Sequence, residues 1–186
     1  LPEGSLVSTN QGLKFQAFRP LLADYVLSMP RGATIIYPKD AAMILGVADI
    51  KQGVRDLEAG VGSGAMSISI LRAIGNDGHL HSVEIREDFA KISESNVINY
   101  FKAKPNNWQL TVGALQDQIF EFEFDRVVLD MLAPWDCLDV AAKALVPGGV
   151  FMSYVATTTQ LSKIAEAIKD CGLFTEPESS ETIVRG

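Results

Sequence analysis

A strand pattern, a glycine-rich turn and a helix pattern follow one another without interruption between residues 54 and 75. The strand pattern is VRDLEAG, and the helix pattern is GAMSISILRAIG. Three glycines, at positions 60, 62 and 64, lie at the junction, and glycine lets a backbone turn sharply and approach a ligand closely. In parallel sheets such loops lie at the carboxyl ends of the strands, where ligands bind. The junction therefore predicts an α/β fold with a ligand beside the glycines.

Strand and helix patterns alternate on both sides of this junction. The further strand patterns are HLHSVEI, WQLTVGA, FDRVVLDM and GGVFMSYVA. The further helix patterns are DAAMILGVAD, REDFAKISESNVINYF, PWDCLDVAAKAL and TQLSKIAEAIKDCG. Alternation of this kind predicts crossover connections, and hence a Rossmann-like, doubly wound and mostly parallel sheet with helices on both faces.

The chain is predicted to divide near residue 36. Residues 1–36 contain two short strand patterns around residues 10–12 and a short helix pattern in RPLLADYVLSMPRG. We interpret them as the remnant of an N-terminal β module and a linker helix. Residues 37–186 form the predicted α/β domain, and SETIVRG at its end is typical of the start of a sixth strand. We therefore expect the C-terminal strands of the domain to be missing.

Composition excludes some classes of protein. The 186 residues are 47% hydrophobic and have a formal net charge of −7, which suits a packed core and argues against a general nucleic-acid coat. A local basic patch remains compatible with this charge. No apolar run reaches the roughly 18 residues of a membrane span. Cys137 and Cys171 have no disulfide or metal spacing, and His79 and His81 are expected to be structural, so we predict no metal site and a reducing, cytoplasmic compartment.

The glycine loop by itself leaves three interpretations open. GVGSGA fits the dinucleotide fingerprint G-x-G-x-x-G/A, EAGVGSG fits the E/D-x-G-x-G-x-G sequence of S-adenosylmethionine sites, and a plain tight turn needs no ligand. Glu58 favours S-adenosylmethionine, because a carboxylate attracts an ammonium or sulfonium and repels a pyrophosphate. Glu84, at the end of the next strand pattern, is a candidate acceptor for ribose hydroxyls, but that contact fits both cofactors.

Asp130 is a second candidate functional carboxylate. It ends the strand pattern FDRVVLD and precedes a Pro-Trp turn. One interpretation is an aspartate that caps a helix or turn. The other is an acceptor that faces a base or an amine beside a transferred methyl group.

Five segments together resemble the tRNA (adenine-58-N1) methyltransferase family, in its bacterial, actinobacterial-like single-subunit form. They are MPRGATIIYPKDAA, LEAGVGSGAM, VEIREDFA, RVVLDMLAPW and YVATTTQL, and the similarity extends from about residue 19 to residue 186. The resemblance implies the class I S-adenosylmethionine-dependent methyltransferase fold and methyl transfer to N1 of adenine 58 in tRNA. It also implies S-adenosylmethionine as cofactor, tRNA as partner and a homotetramer.

The resemblance also implies roles for individual residues. Asp130 corresponds to the carboxylate at the methyl-transfer site, and Tyr37 and Tyr154 correspond to tyrosines near the target-base pocket, with buried packing as their alternative. The loop pattern assigns Glu58, Gly60 and Gly62 to the cofactor. The resemblance adds Ser63, Gly64, Ala65 and Met66 at its methionine part, Glu84 at its ribose, Phe89 at its flank, Gln116 near its adenine and Asp130 itself. Ala114 and Gln116 replace the acidic residue common after this strand, so side-chain recognition of the cofactor adenine stays open.

Methyl transfer to a base inside folded tRNA requires the base to be extruded into a pocket. Tyr37 and Trp135 are the candidates for stacking on it. The candidate phosphate contacts are Arg19, Arg31, Lys39 and Arg86.

Two other functions stay open. A different class I methyltransferase, acting on protein isoaspartate or on a small molecule, would use the same loop without tRNA. A non-catalytic tRNA-binding subunit would be expected to have a degraded glycine loop, whereas GVGSG is intact.

Overall fold

A five-stranded parallel sheet forms the centre of the computed structural model, which describes residues 1–185. The strands of the chain are β1 (Ser5–Ser8), β2 (Lys14–Ala17), β3 (Arg55–Ala59), β4 (His79–Glu84), β5 (Trp108–Val112), β6 (Phe124–Asp130) and β7 (Leu145–Tyr154). The order in the sheet is β5-β4-β3-β6-β7. The strand order therefore reverses between β3 and β6, which is where an open α/β sheet binds ligands.

The helices lie where the apolar periodicity predicts them. They are α1 (Leu22–Ser28), α2 (Pro38–Val47), α3 (Ala65–Ile74), α4 (Glu87–Phe101), α5 (Leu138–Ala144) and α6 (Thr158–Cys171). Helix α2 begins at Pro38, two residues before the predicted start, because proline at the first helical position loses no hydrogen bond. The helix predicted over PWDCLDVAAKAL begins as a 3-10 turn, Pro134–Cys137, before α5.

Hydrophobic clusters cover both faces of the sheet. On one face Val128 packs with side chains from helices α1 to α4, such as Ile44 and Ile68. On the other face Leu57 and Val127 pack with α5. The central strands are thus buried on both sides, as parallel strands usually are. This arrangement confirms the predicted doubly wound fold.

The N-terminal segment forms the predicted hairpin. Strands β1 and β2 pair antiparallel, with Ser5 opposite Ala17, and leave Leu6 and Phe15 more than half exposed. Helix α1 inserts Val26 into the core that it shares with α2 and α3. The proposed division at residue 36 and the missing C-terminal strands stay predictions.

Residues 172–185 contain neither helix nor strand, so the strand predicted in SETIVRG is wrong for residues 180–185. The carbonyl of Thr182 accepts a hydrogen bond of 2.8 Å from Lys39 Nζ, and Ser180 Oγ lies 3.8 Å from Met43 Sδ. A strand forms only where its backbone groups pair with a neighbouring strand, and here the contacts are to α2. Gly186 lies outside the described residues. In the described part of the chain, no helix has both the length and the hydropathy required of a membrane span.

Candidate active site

The glycine loop passes directly over the end of β6. A Cβ atom built on Gly60 would lie 1.8 Å from the backbone oxygen of Asp130, and Gly60 has φ 84°. Both the close approach and the left-handed backbone require glycine at this position. The fold thus brings the loop and Asp130, which are distant in sequence, into contact at the point where strand order reverses.

Helix α3 begins immediately after the loop and has no side-chain cap. Its N-cap is Gly64, with φ 83°, which has no side chain to accept from the first helical N–H groups. Such groups attract anionic parts of a ligand, because they carry the positive end of the helix dipole. The N-terminus of α3 therefore suits a carboxylate.

The carboxylate of Glu84 accepts hydrogen bonds from both the glycine loop and the turn after β4. Its Oε2 accepts from Gly62 N at 2.8 Å, and its Oε1 accepts from Arg86 N at 3.0 Å. Each carboxylate oxygen retains a further lone pair for a ligand hydroxyl. The exposed apolar side chain of Ile85 follows it directly.

Glu58 lies beneath the loop and is only 2% exposed. Its Oε2 accepts from Ser67 Oγ at 2.6 Å and from Ser82 Oγ at 2.7 Å. Its Oε1 is buried and has no hydrogen-bond partner among the described residues. Burial, together with the charges of Asp130 and Glu84, raises the pKa of Glu58 to about 7, although the two serine hydrogen bonds act in the opposite direction.

Asp130 and Tyr154 are neighbours at the ends of β6 and β7, where they pair in register. Burial, followed by the nearby charge of Glu84, raises the pKa of Asp130 to about 7. The Tyr154 hydroxyl donates a hydrogen bond of 3.3 Å to Asp40 Oδ2. Burial first, and then Asp40, raises the pKa of Tyr154. Its hydroxyl is therefore protonated at neutral pH.

A narrow cleft runs from the glycine loop to Asp130. It is lined by Thr34, Ile35, Ile36, Gly60, Val61, Ser63, Ala65, Met66 and Asp130. Ser63 fastens the segment before α2 to the loop, because its Oγ accepts from Gly32 N at 3.2 Å and donates to Ala33 O at 3.1 Å. Asn96 Nδ2 adds bonds of 2.8 Å to Pro30 O and 2.9 Å to Ser63 O.

Sequence reasoning missed Asn96. It occupies the buried face of α4, and a polar side chain on the apolar face of a helix pattern is the signal by which the sequence could have identified it.

The other predicted site residues lie at different distances from the cleft. Tyr37 is the N-cap of α2, follows the cleft-lining Ile36 and is 46% exposed. Phe89 packs beside Gly32, under the guanidinium of Arg86 at 3.8 Å from the ring centroid. Gln116 is exposed in the 3-10 turn after β5 and is not among the cleft-lining residues.

Trp135 lies in a separate groove beside α6, with Lys163 Nζ 3.9 Å from its ring centroid. Of the two predicted stacking residues, only Tyr37 therefore adjoins the cleft.

The four cations predicted to contact phosphate are engaged within the protein. Arg19 pairs with Glu3 at 3.6 Å, Lys39 with Asp40 at 2.7 Å and Arg86 with Asp88 at 2.7 Å. The guanidinium of Arg31 donates to the carbonyl of Leu27. His81 Nε2 bonds Thr111 Oγ1 at 2.9 Å beside the Phe120 ring, and the His79 ring packs edge-on against Phe122.

Comparisons with known proteins agree with this geometry. A family model described as the tRNA methyltransferase complex GCD14 subunit matches residues 19–185. A tRNA (adenine(58)-N(1))-methyltransferase TrmI of Thermus thermophilus is 35% identical over 165 residues, which are 88% of this chain and 64% of that protein.

Two solved structures share the fold. An SAM-dependent O-methyltransferase from Thermotoga maritima superimposes with a TM-score of 0.84 at 33% identity, covering 90% of this chain and 62% of that one. The tRNA (m1A58) methyltransferase TrmI from Aquifex aeolicus superimposes with a TM-score of 0.76 at 28% identity, covering 91% and 65%. The class I methyltransferase fold predicted from the sequence is thus confirmed. The chain spans less than two thirds of each of these three relatives.

Proposed function

Since the chain belongs to the tRNA methyltransferase complex GCD14 subunit family, we propose that it is an S-adenosylmethionine-dependent tRNA (adenine-N1)-methyltransferase. The five segments identified in the sequence predicted a family of tRNA methyltransferases. The observation that carries the proposal is the contact between the glycine loop and Asp130 at the switch point of the sheet. Asp130 also lines the cleft beside this loop, which supports a role for its carboxylate at the proposed cofactor site. The target we propose is adenine 58 of tRNA, which is the position named for the Thermus relative.

The site is chemically suited to S-adenosylmethionine, which when bound supplies a methyl group on a positively charged sulfur. After burial, the charge of Glu84 raises the pKa of both Glu58 and Asp130, and the charge of Asp130 also raises that of Glu58. A bound cation would relieve this repulsion, whereas a pyrophosphate would increase it. The uncapped N–H groups of α3 suit the carboxylate of the cofactor, and the free lone pairs of Glu84 suit its ribose hydroxyls.

The remaining cofactor contacts follow from the lining of the cleft. We propose that Gly60, Gly62, Ser63, Gly64, Ala65 and Met66 hold the methionine part, that Phe89 flanks the cofactor and that Gln116 lies near its adenine. Glu58 would act from beneath the loop through Ser67, at the start of α3.

Catalysis by this chain would depend on Asp130. The N1 atom of adenine has a lone pair and needs no strong base, so positioning is the main requirement. Asp130 would accept a hydrogen bond from the exocyclic amino group of the target base. Its negative charge would stabilise the positive charge that develops on the base. Tyr37, partly exposed beside the cleft, would stack on the extruded base, and Tyr154 would adjoin it.

We also propose that the protein works as a cytoplasmic homotetramer. The exposed apolar side chains of the hairpin, such as Phe15, support an assembly surface. Because the chain has a formal net charge of −7, a composite surface built by several copies would concentrate the cations that contact phosphate. Light scattering that shows a monomer at micromolar concentration would contradict this assembly.

A transfer assay tests the function. We expect the full-length protein, with methyl-labelled S-adenosylmethionine and unmodified tRNA, to form 1-methyladenosine, and to form none with a transcript that has guanine at position 58. Label in an isoaspartyl peptide or in a small molecule, without label in tRNA, would support a different class I methyltransferase. Tight tRNA binding without any transfer would support a non-catalytic subunit, although the glycine loop, Glu84 and Asp130 are all present.

A further inference from the structure

Asp40 is a buried carboxylate beside the proposed active site and is not one of the residues assigned to the cofactor or to the target base. We propose that Asp40 is a positioning residue that holds the Tyr154 hydroxyl in one orientation beside Asp130. The inference deepens the proposed methyltransferase function and rests on it. Asp40 lies in the first turn of α2 and is 7% exposed. Its Oδ2 accepts from the Tyr154 hydroxyl at 3.3 Å, and its Oδ1 accepts from Lys39 Nζ at 2.7 Å.

The hydrogen bond between Asp40 and Tyr154 lies next to the proposed active site. Tyr154 is the last residue of β7 and pairs in register with Asp130, so the two side chains leave the same face of the sheet. Helix α2 packs on that face, and its N-cap Tyr37 directly follows Ile36, which lines the cleft. Within residues 1–185, Asp40 is the hydrogen-bond partner of the Tyr154 hydroxyl, and removing it would leave the phenol free to rotate.

The carboxylate of Asp40 determines the direction in which the hydroxyl proton of Tyr154 points. An ionised carboxylate only accepts hydrogen bonds, so the single phenolic proton of Tyr154 must point towards Asp40. The lone pairs of the phenol oxygen are then left for other groups. Together with Asp130, which pairs in register with Tyr154, this gives two oxygen acceptors on one face of the sheet, and such a pair matches an exocyclic amino group on the target base.

A simpler role for Asp40 is electrostatic support of α2, because an acidic residue in the first turn favours the helix dipole. That role does not involve Tyr154. Asp24 provides a matched control, since it occupies the same third position of α1, is exposed and accepts from Leu21 N at 3.0 Å.

The first experiment needs neither tRNA nor cofactor. The protein has four tyrosines, and in protein labelled with 13C at the tyrosine Cζ atoms the Tyr154 signal is assigned by its loss in Tyr154→Phe. We expect Asp40→Ala to shift this signal and to lower its titration midpoint towards that of an ordinary tyrosine, while Asp24→Ala leaves it unchanged. A Tyr154 signal that is the same in Asp40→Ala and in the unmodified protein would overturn the proposal.

The second experiment is a double-mutant cycle on single-turnover methyl transfer to tRNA. Loss of one orienting hydrogen bond predicts a fall of about 3- to 10-fold in the rate constant for Asp40→Ala, with little change in KM for tRNA. In the Tyr154→Phe background the same change should have an effect within about twofold. An equal fall in both backgrounds would assign Asp40 to helix stability and would refute the positioning role. If the unmodified protein transfers no methyl group although the Cζ signal responds to Asp40→Ala, the proposed function fails and the orienting contact stands.

Discussion

Replacing the buried carboxylate of Asp56 should stabilise this protein. It lies on β3, is completely buried, and neither carboxylate oxygen has a hydrogen-bond partner among the described residues. Arg126 pairs with it in register on β6, but the guanidinium is directed to Ala48 O and Asp49. Burial, and then the charge of Glu58, raises the pKa of Asp56 from 3.8 to about 8.

The expected gain in stability follows from this rise in the pKa of Asp56. Each tenfold change in proton affinity corresponds to about 1.4 kcal/mol, so ionising Asp56 in the folded state costs at most roughly 5 to 6 kcal/mol. The folded state binds a proton that the unfolded state releases between pH 3.8 and about 8. The stability is therefore present below pH 3.8 and is lost progressively as pH rises through this window. We expect Asp56→Asn to raise the free energy of unfolding by about 2 to 5 kcal/mol at pH 8.5, and by much less at pH 4.5.

Urea unfolding at pH 4.5, 6.5 and 8.5, followed by circular dichroism, measures both the gain and its pH dependence. Glu121→Gln, at an exposed position outside the helices and strands, is the control and should change the stability by less than about 0.5 kcal/mol. Glu58 retains a raised pKa and should leave a smaller residual slope in the variant. Equal stability of Asp56→Asn and the unmodified protein at pH 8.5, or a gain that does not depend on pH, would refute the reasoning.

Three further predictions concern the site. Asp130→Asn should reduce single-turnover methyl transfer by about 10²-fold or more while changing S-adenosylmethionine affinity less, and transfer at the original rate would remove Asp130 from the mechanism. Gly60→Ala should abolish cofactor binding in calorimetry, because its Cβ would lie 1.8 Å from the backbone oxygen of Asp130. Gly12→Ala is the control: Gly12 has a similar φ of 81° but no atom within 4 Å of the added Cβ, so this variant should bind the cofactor normally. Asn96→Ala should lower the free energy of unfolding by about 1 to 3 kcal/mol, because it leaves Pro30 O and Ser63 O without their hydrogen-bond donor. Hydrogen exchange should then accelerate at residues 30–36 more than in β3, and uniform acceleration would contradict the fastening role.

The sequence alone was sufficient to predict the fold and the meeting point of the main site residues. The alternation of strand and helix patterns dictates a parallel sheet, because parallel strands need crossover connections. Glu84 and Asp130 end their strand patterns, and the glycine loop follows a third. Since the carboxyl ends of parallel strands share one edge of a sheet, these three features had to lie close together.

Only the tertiary structure decided how the side chains at that edge are used. The loop pattern assigned Glu58 to the cofactor site, and the structure adds that it lies beneath the loop, where Ser67 and Ser82 donate to one of its oxygens. The bond between Asp40 and Tyr154 joins α2 to β7, and Asn96 joins α4 to two loops. A period of two along a strand, or of 3.6 along a helix, states which residues share a face. It does not state what the next helix will place against that face, because such contacts depend on how distant segments of the chain pack together.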